Sequence, residues 1–190
     1  MGSPALRRAL ADPAVLPLPP TAAELLDALD APPRLAAHLR AVHHAAYALT
    51  ERLAAEGLRT DRDAVIFGAA THDIGKVRHV EELSRPGHAH EPAGQEILIQ
   101  YGVPAELARF AATHASWQEP HRTIEELLVS LADTVWKGQR ITALEQRVLD
   151  HLVAGTGLDE WDAFLRLDDV LAPTAADADR LLAFQFSHPI

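Results

Sequence analysis

From Pro32 to Gly57 the chain reads "PPRLAAHLRAVHHAAYALTERLAAEG". Leu35, Leu39, Val42, Ala46, Leu49 and Leu53 recur in steps of four and three, which places them on one face of a helix. A helix of that length with one continuous apolar stripe must be buried against other elements. The rest of the sequence supplies only more helices. Alanine and leucine dominate the apolar residues and aromatics make up just 5%, a balance that favours packed helices over a β-sandwich. No alternating strand pattern and no internal repeat is visible. The expected fold class is all-α: a single-domain helical bundle.

The expected helices follow from their start and stop signals. "TAAELLDALD" opens with Thr21 and Glu24 spaced as a capping box, and "TALEQRVLDHLVAG" repeats that spacing with Thr142 and Glu145. "TDRDAVIFGAATHD" is capped by Thr60 or Asp61, and Gly102 stops "PAGQEILIQYG". Pro104 starts a helix running to about His114. "TIEELLVSLADTVWKG" is apolar on most sides and is expected at the centre. "DEWDAFLRLDDVL" and "TAADADRLLAFQF" close the chain. Residues 1–20, rich in proline, read as a loose lead-in, and residues 74–91 as a loop. The expected domain is residues 21–190, with a core over about 33–140 and a C-terminal helical extension over 141–190.

Charge and composition exclude several functions. The net charge is −10 with no block of basic residues, which argues against general nucleic-acid binding. No apolar run approaches the ~20 residues that span a bilayer. The N-terminus lacks a basic-then-apolar signal, so a cytoplasmic protein with no membrane partner is expected. There is no cysteine, so any metal must take nitrogen and oxygen ligands. A small anionic substrate remains open if a metal supplies local positive charge, and an oligomer is not excluded.

The eleven histidines include several in suggestive places. "AATHDIGK" sets His72 beside Asp73 at the end of a small apolar run, with Lys76 three residues on. On the long helix His44 points away from the buried stripe, while His43 and His38 flank it on opposite sides, and either could face inward. His114 shares a helix face with Leu107 and Phe110. "GHAHEPAG" offers His88 and His90, the latter at a helix start where it could also cap. Asp133 belongs to a narrow polar strip with Glu126, Ser130 and Thr134 on the expected central helix, and that strip must meet something polar: a metal or an arginine.

The ordered set His43, His72–Asp73, His90, His114, Asp133 resembles the HD-domain superfamily of metal-dependent phosphohydrolases, over roughly residues 33–140. The flanks "RAVHHAA", "THDIGK", "HEPAG", "FAATHASW" and "LLVSLADTVWKGQR" carry the resemblance. It implies an all-helical HD-type fold and selects the histidine after the valine, His43, over His38. It implies that His43, His72 and Asp133 bind one metal, that His90 and His114 bind a second, and that Asp73 bridges them. A carboxylate can bridge because each oxygen offers lone pairs, whereas a metal-binding imidazole offers one.

Iron or manganese suits such ligands best, with cobalt, nickel, zinc and magnesium as alternatives. Two such ions ~3.5–4 Å apart would lower the pKa of a shared water and deliver hydroxide to phosphorus. Lys76 is the candidate for stabilising charge on phosphate oxygens, with Lys137 and Arg140 as further anion contacts. Glu91 could accept a proton from a ligand imidazole. The substrate class implied is a nucleotide or another small phosphorylated metabolite. The pattern is also similar to the symmetrical diadenosine tetraphosphate hydrolases, but the long stretch after Asp133 departs from them. An oxygenase using the same six ligands for a di-iron centre is the competing reading, and a metal-free binding module a third.

Overall fold

The architecture is that of a computed structural model describing residues 2–190. Met1, the first residue of the expected lead-in, lies outside the described residues. Helices α1 (Pro4–Ala11), α2 (Pro20–Ala28), α3 (Pro33–Ala55) and α4 (Arg62–Thr71) are followed by two 3-10 turns, Ile74–Val77 and Val80–Leu83. Then come α5 (His90–Gln100), α6 (Ala105–Thr113), α7 (Ile124–Val135), α8 (Thr142–Thr156), α9 (Glu160–Ala176) and α10 (Ala178–Phe186). Among the described residues there is no strand. The fold is the all-α bundle that the hydrophobic periodicity implies.

Helix α3 is the spine. Prolines stand at its N-cap, Pro32, and its first position, Pro33, where no amide partner is needed, and Gly57 just beyond its end takes φ 95°. Its alanines let neighbours approach closely. Ala37, Ala41, Ala45, Leu49 and Leu53 join a core with α4, α7, α8, α9 and α10, while Leu35, Ala36 and Leu39 join a second core with α1, α2, α5 and α6. Helix α7 is central, as its apolar surface requires: Leu127, Val129, Leu131, Ala132 and Val135 are fully buried.

Three local expectations are corrected. The lead-in contains α1, which seats Leu6 and Ala9 in the second core. It is held there by Arg40 of α3, buried among carbonyls, whose guanidinium donates to the oxygens of Ala9, Asp12, Val15 and Leu16. The stretch 74–91 is a loop only in part, since it contains both 3-10 turns.

Neither expected capping box forms. In α2 the helix begins at Pro20, so Thr21 is already inside it. In α8 Thr142 is the first helical residue, and Arg140 takes Glu145 at 2.7 and 2.8 Å. A reciprocal box does form on α7, between Thr123 and Glu126. Asp61 caps α4 by accepting from the Ala64 amide at 3.0 Å.

Candidate metal centre

The bundle brings five helices to one point. His72 ends α4 and Asp73 follows it directly; Ile74, fully buried in the second core, anchors the turn that carries the carboxylate inward. The next residue must be glycine. A Cβ at Gly75 would stand 1.9 Å from the His90 carbonyl oxygen and 2.6 Å from the Gly94 amide nitrogen. That close approach locks the Asp73 turn onto the first turn of α5, where His90 begins the helix. His114 sits at the C-terminal end of α6, its carbonyl held by the Ser130 hydroxyl of α7 at 2.7 Å. Asp133 lies one turn further along α7. The polar strip on α7 is therefore accounted for: Glu126 meets Arg122 at 3.3 Å, Ser130 pins α6, and Asp133 enters the cluster.

Asp73 is the centre of this arrangement, with its side chain 4% exposed. Its Oδ2 faces His38 Nε2 at 3.1 Å and His72 Nε2 at 3.8 Å. Its Oδ1 faces His90 Nε2 at 3.0 Å and His114 Nε2 at 3.4 Å. Asp133 Oδ1 lies 3.6 Å from both His38 Nε2 and His72 Nε2. The ligand atoms of His38, His72 and Asp133 fall within 4.8 Å of one another, as do those of His72, Asp73 and His114.

Each of the four imidazoles is oriented from behind. His72 Nδ1 donates to the Ala69 carbonyl and His114 Nδ1 to the Ala111 carbonyl, both at 3.0 Å. His90 Nδ1 donates to Glu82 Oε2 at 2.5 Å and His38 Nδ1 to Gln185 Oε1 at 3.0 Å. Carbonyl and carboxylate oxygens only accept, so Nδ1 carries a proton, and in its neutral form each ring turns the lone pair of Nε2 to the interior. The interior then holds imidazole lone pairs and carboxylate oxygens, all acceptors, and the donors among them are the Lys76 ammonium at Asp73 Oδ2 and the Trp136 indole N–H facing Asp133 Oδ1. Asp73 Oδ1 and His90 Nε2 are buried with no hydrogen bond. Such a set is costly to bury unless a cation fills it, and outward-donating Nδ1 groups are how metal-binding histidines are held. The residues present thus fit a metal centre.

The electrostatics agree. Burial opposes charge on Asp73, but the His72 ring and the facing His114, His38 and His90 rings outweigh it and hold the carboxyl well below the usual range. At Asp133 burial is likewise outweighed, by His72 first and then by Lys137 and His38, so its pKa is lowered too. Both stay ionised and ready to bind a cation. Lys76 Nζ lies 2.5 Å from Asp73 Oδ2, and Lys137 Nζ 3.8 Å from Asp133 Oδ2.

Of the residues expected from sequence, His72, Asp73, His90, His114, Asp133, Lys76 and Lys137 come together. His43 does not. Five residues separate it from His38, a rotation of about 140° around the helix, and it makes none of the cluster's contacts. The residue on the cluster side is His38, wedged between the His72 and Trp136 rings, each with its centroid 5.3 Å away. His43 is buried on another side of α3 with Nδ1 unpartnered, and burial, with His44 and Arg40 nearby, pushes its pKa down to about 4. The flanking motif misleads here because His38 and His43 both flank the apolar stripe of α3, and the helical wheel alone leaves both open.

Arg140 turns away to Glu145 and Asp168, so it makes no anion contact here. Glu91 pairs with the exposed His88 at 2.6 Å instead of supporting a ligand. The carboxylate behind His90 is Glu82, which also accepts from the Ala89 and His90 amides. Nothing in the sequence separates Glu82 from Glu81 beside it. Gln185 lies 147 residues from His38, beyond any local signal.

With this geometry in place, the comparison with known families is specific. The model of the HD domain matches residues 35–135. The chain belongs to the HD-domain family. No curated protein and no solved structure matches it. The HD-domain match spans every side chain of the cluster from His38 to Asp133 and ends just before Trp136 and Lys137. Membership makes this a metal-binding domain of hydrolase type. No helix among the described residues is long and apolar enough to cross a membrane.

Proposed function

We propose that this HD-domain protein is a phosphohydrolase acting on a nucleotide or another small phosphorylated metabolite through a binuclear centre. The observation that carries the reading is the division of Asp73. One of its oxygens faces His38 and His72, which adjoin Asp133; the other faces His90 and His114. His38, His72 and Asp133 would hold one divalent ion, His90 and His114 the other, and Asp73 both. Iron or manganese suits this nitrogen and oxygen set. When bound, the pair supplies Lewis acidity that activates water and neutralises a phosphoryl group.

The chain's own residues provide the rest. Access is from the side of Asp133, whose side chain is 23% exposed, flanked by Lys137 at 31% and Lys76 at 17%. Both ammonium groups border the carboxylates from that side, so an entering anion meets positive charge there. Lys76 is tethered by its 3-10 turn close to Asp73, and it would hydrogen-bond a phosphate oxygen as negative charge grows on it. Trp136, 2% exposed, packs against His38 and keeps water from that flank. An anionic substrate with a phosphoryl centre uses all these groups. Oxidation of a neutral C–H bond would give the lysines no substrate charge to meet.

The test is a substrate screen of the Mn²⁺-loaded protein under anaerobic conditions, with nucleotides and generic phosphoesters. Release of inorganic phosphate or a nucleoside monophosphate supports the reading. Turnover that requires oxygen and iron, with no phosphate release, contradicts it.

A further inference from the structure

The matched HD domain ends at Val135, yet one of the four cluster imidazoles is oriented from the far end of the chain. Helix α10 returns to α3 and sets the Gln185 side-chain oxygen 3.0 Å from His38 Nδ1. The return is firmly anchored. Phe184 is buried in the main core, with the Arg40 guanidinium 5.5 Å from its ring centroid. Arg34, one helical turn before His38, donates its Nε to the His188 carbonyl at 2.6 Å and its amide to the Pro189 carbonyl at 2.8 Å. The Arg34 guanidinium also lies over the Phe186 ring at 5.0 Å. Residues 184–189 thus form a strap across the start of α3, with Gln185 at the point where it meets the cluster.

We infer that Gln185 is a positioning residue of the metal centre, fixing the tautomer and ring direction of His38, so that the C-terminal helix is a working part of the site. The inference rests on the metal-centre reading above. Its chemistry is that of an acceptor behind a ligand: with Nδ1–H engaged, Nε2 is left as the lone-pair donor toward the cation. Behind His72 and His114 that acceptor is backbone, which no substitution removes. Behind His90 it is the Glu82 carboxylate. Behind His38 it is a neutral amide, so the two ends of the cluster are held by acceptors of different charge and basicity. The Gln185 contact can be removed without touching any residue of the HD-domain match.

The experiment is Mn²⁺ binding to the full-length, metal-stripped chain by equilibrium dialysis, for wild type, Gln185→Leu, Gln185→Met and Gln185→Glu. Loss of the acceptor in the leucine and methionine variants is expected to weaken one class of Mn²⁺ site about 10–100-fold, leaving the other unchanged. The glutamate variant retains an acceptor oxygen and is expected to restore binding to the wild-type level or better. Thermal unfolding of the stripped proteins shows which variants are folded, and the methionine variant, closest in shape, serves if leucine disrupts α10. Wild-type affinity in both folded apolar variants overturns the inference, as does a glutamate variant as weak as they are. A wild-type chain that binds no Mn²⁺ overturns the metal centre itself, and this inference with it.

Discussion

The two sides of Asp73 are built from different materials. On the Oδ2 side His38 comes from the second turn of α3, Asp133 from the last turn of α7 and His72 from the end of α4, the helices that make the main core. That side is partly open and bordered by Lys76 and Lys137. On the Oδ1 side His90 and His114 come from a helix start and a helix end, almost wholly buried, with the Glu82 carboxylate behind one of them. The open side has the rigidity to place ligands and the charge to receive an anion. The closed side has its geometry set by local turns and its negative charge set by Glu82. Two ions held there would not be equivalent: one would meet substrate, and the other would share Asp73 from behind.

Replacing Asp73 by alanine removes what the two sides share. Metal content should fall to zero by elemental analysis, with phosphate release down more than about 10³-fold. If one ion remained tightly bound, the sides would be independent after all. Lys76→Met tests the open side alone: both ions should stay, while turnover falls by about 10²–10³-fold, the usual effect of losing one charge-stabilising group. A loss of metal instead would make Lys76 a structural partner of Asp73 rather than a substrate contact.

Gly75→Ala strikes the joint with the closed side. Because the new Cβ would stand 1.9 Å from the His90 carbonyl oxygen, the backbone must shift. A cost of about 1–3 kcal/mol is expected, or a Tm lower by roughly 2–12 °C, together with weaker binding at the His90–His114 side. An unchanged Tm would mean that the turn is looser than the packing implies.

The smallest effect contrasts His43 with His38 on one helix. His43→Leu should keep both metals, whereas His38→Ala should lose the one on the open side. The folded pKa of His43 is pushed down to about 4 from an unfolded value of 6.5, so the unfolded chain takes up the proton first as pH falls. Its neutral form therefore costs no stability above pH 6.5, and stability drains away between about pH 6.5 and 4, by at most about 3 kcal/mol. Urea unfolding of the metal-stripped proteins should show that drop in wild type and a shallower one in His43→Leu. Parallel pH profiles would show that His43 does not carry it.

What could be read from sequence, and what could not, divides along physical lines. Helix periodicity identified α3 and the buried α7, since a face that must be covered leaves a mark every three or four residues. The His72–Asp73 doublet, His90, His114 and Asp133 were legible because their neighbours carry pattern: a small apolar run, a helix start, a helix end, a polar strip on an apolar helix. The choice between His38 and His43 was not, because both flank the same apolar stripe. Which flank meets the cluster depends on how α4 and α7 pack against α3. Glu82 and Gln185 were invisible for a related reason. They touch the site only through the fold, one across a turn and the other from the opposite end of the chain. The capping boxes at Thr21 and Thr142 failed because a proline and an arginine nearby offered better local arrangements.

The central claim is that Asp73 joins two ion sites. The most direct measurement is elemental analysis of purified wild type beside His90→Ala and His38→Ala, each saturated with Mn²⁺ and dialysed. The account predicts two ions per chain in wild type and one in each variant. A single ion in wild type that survives His90→Ala untouched would contradict it, reducing His90 and His114 to buried partners of a mononuclear site.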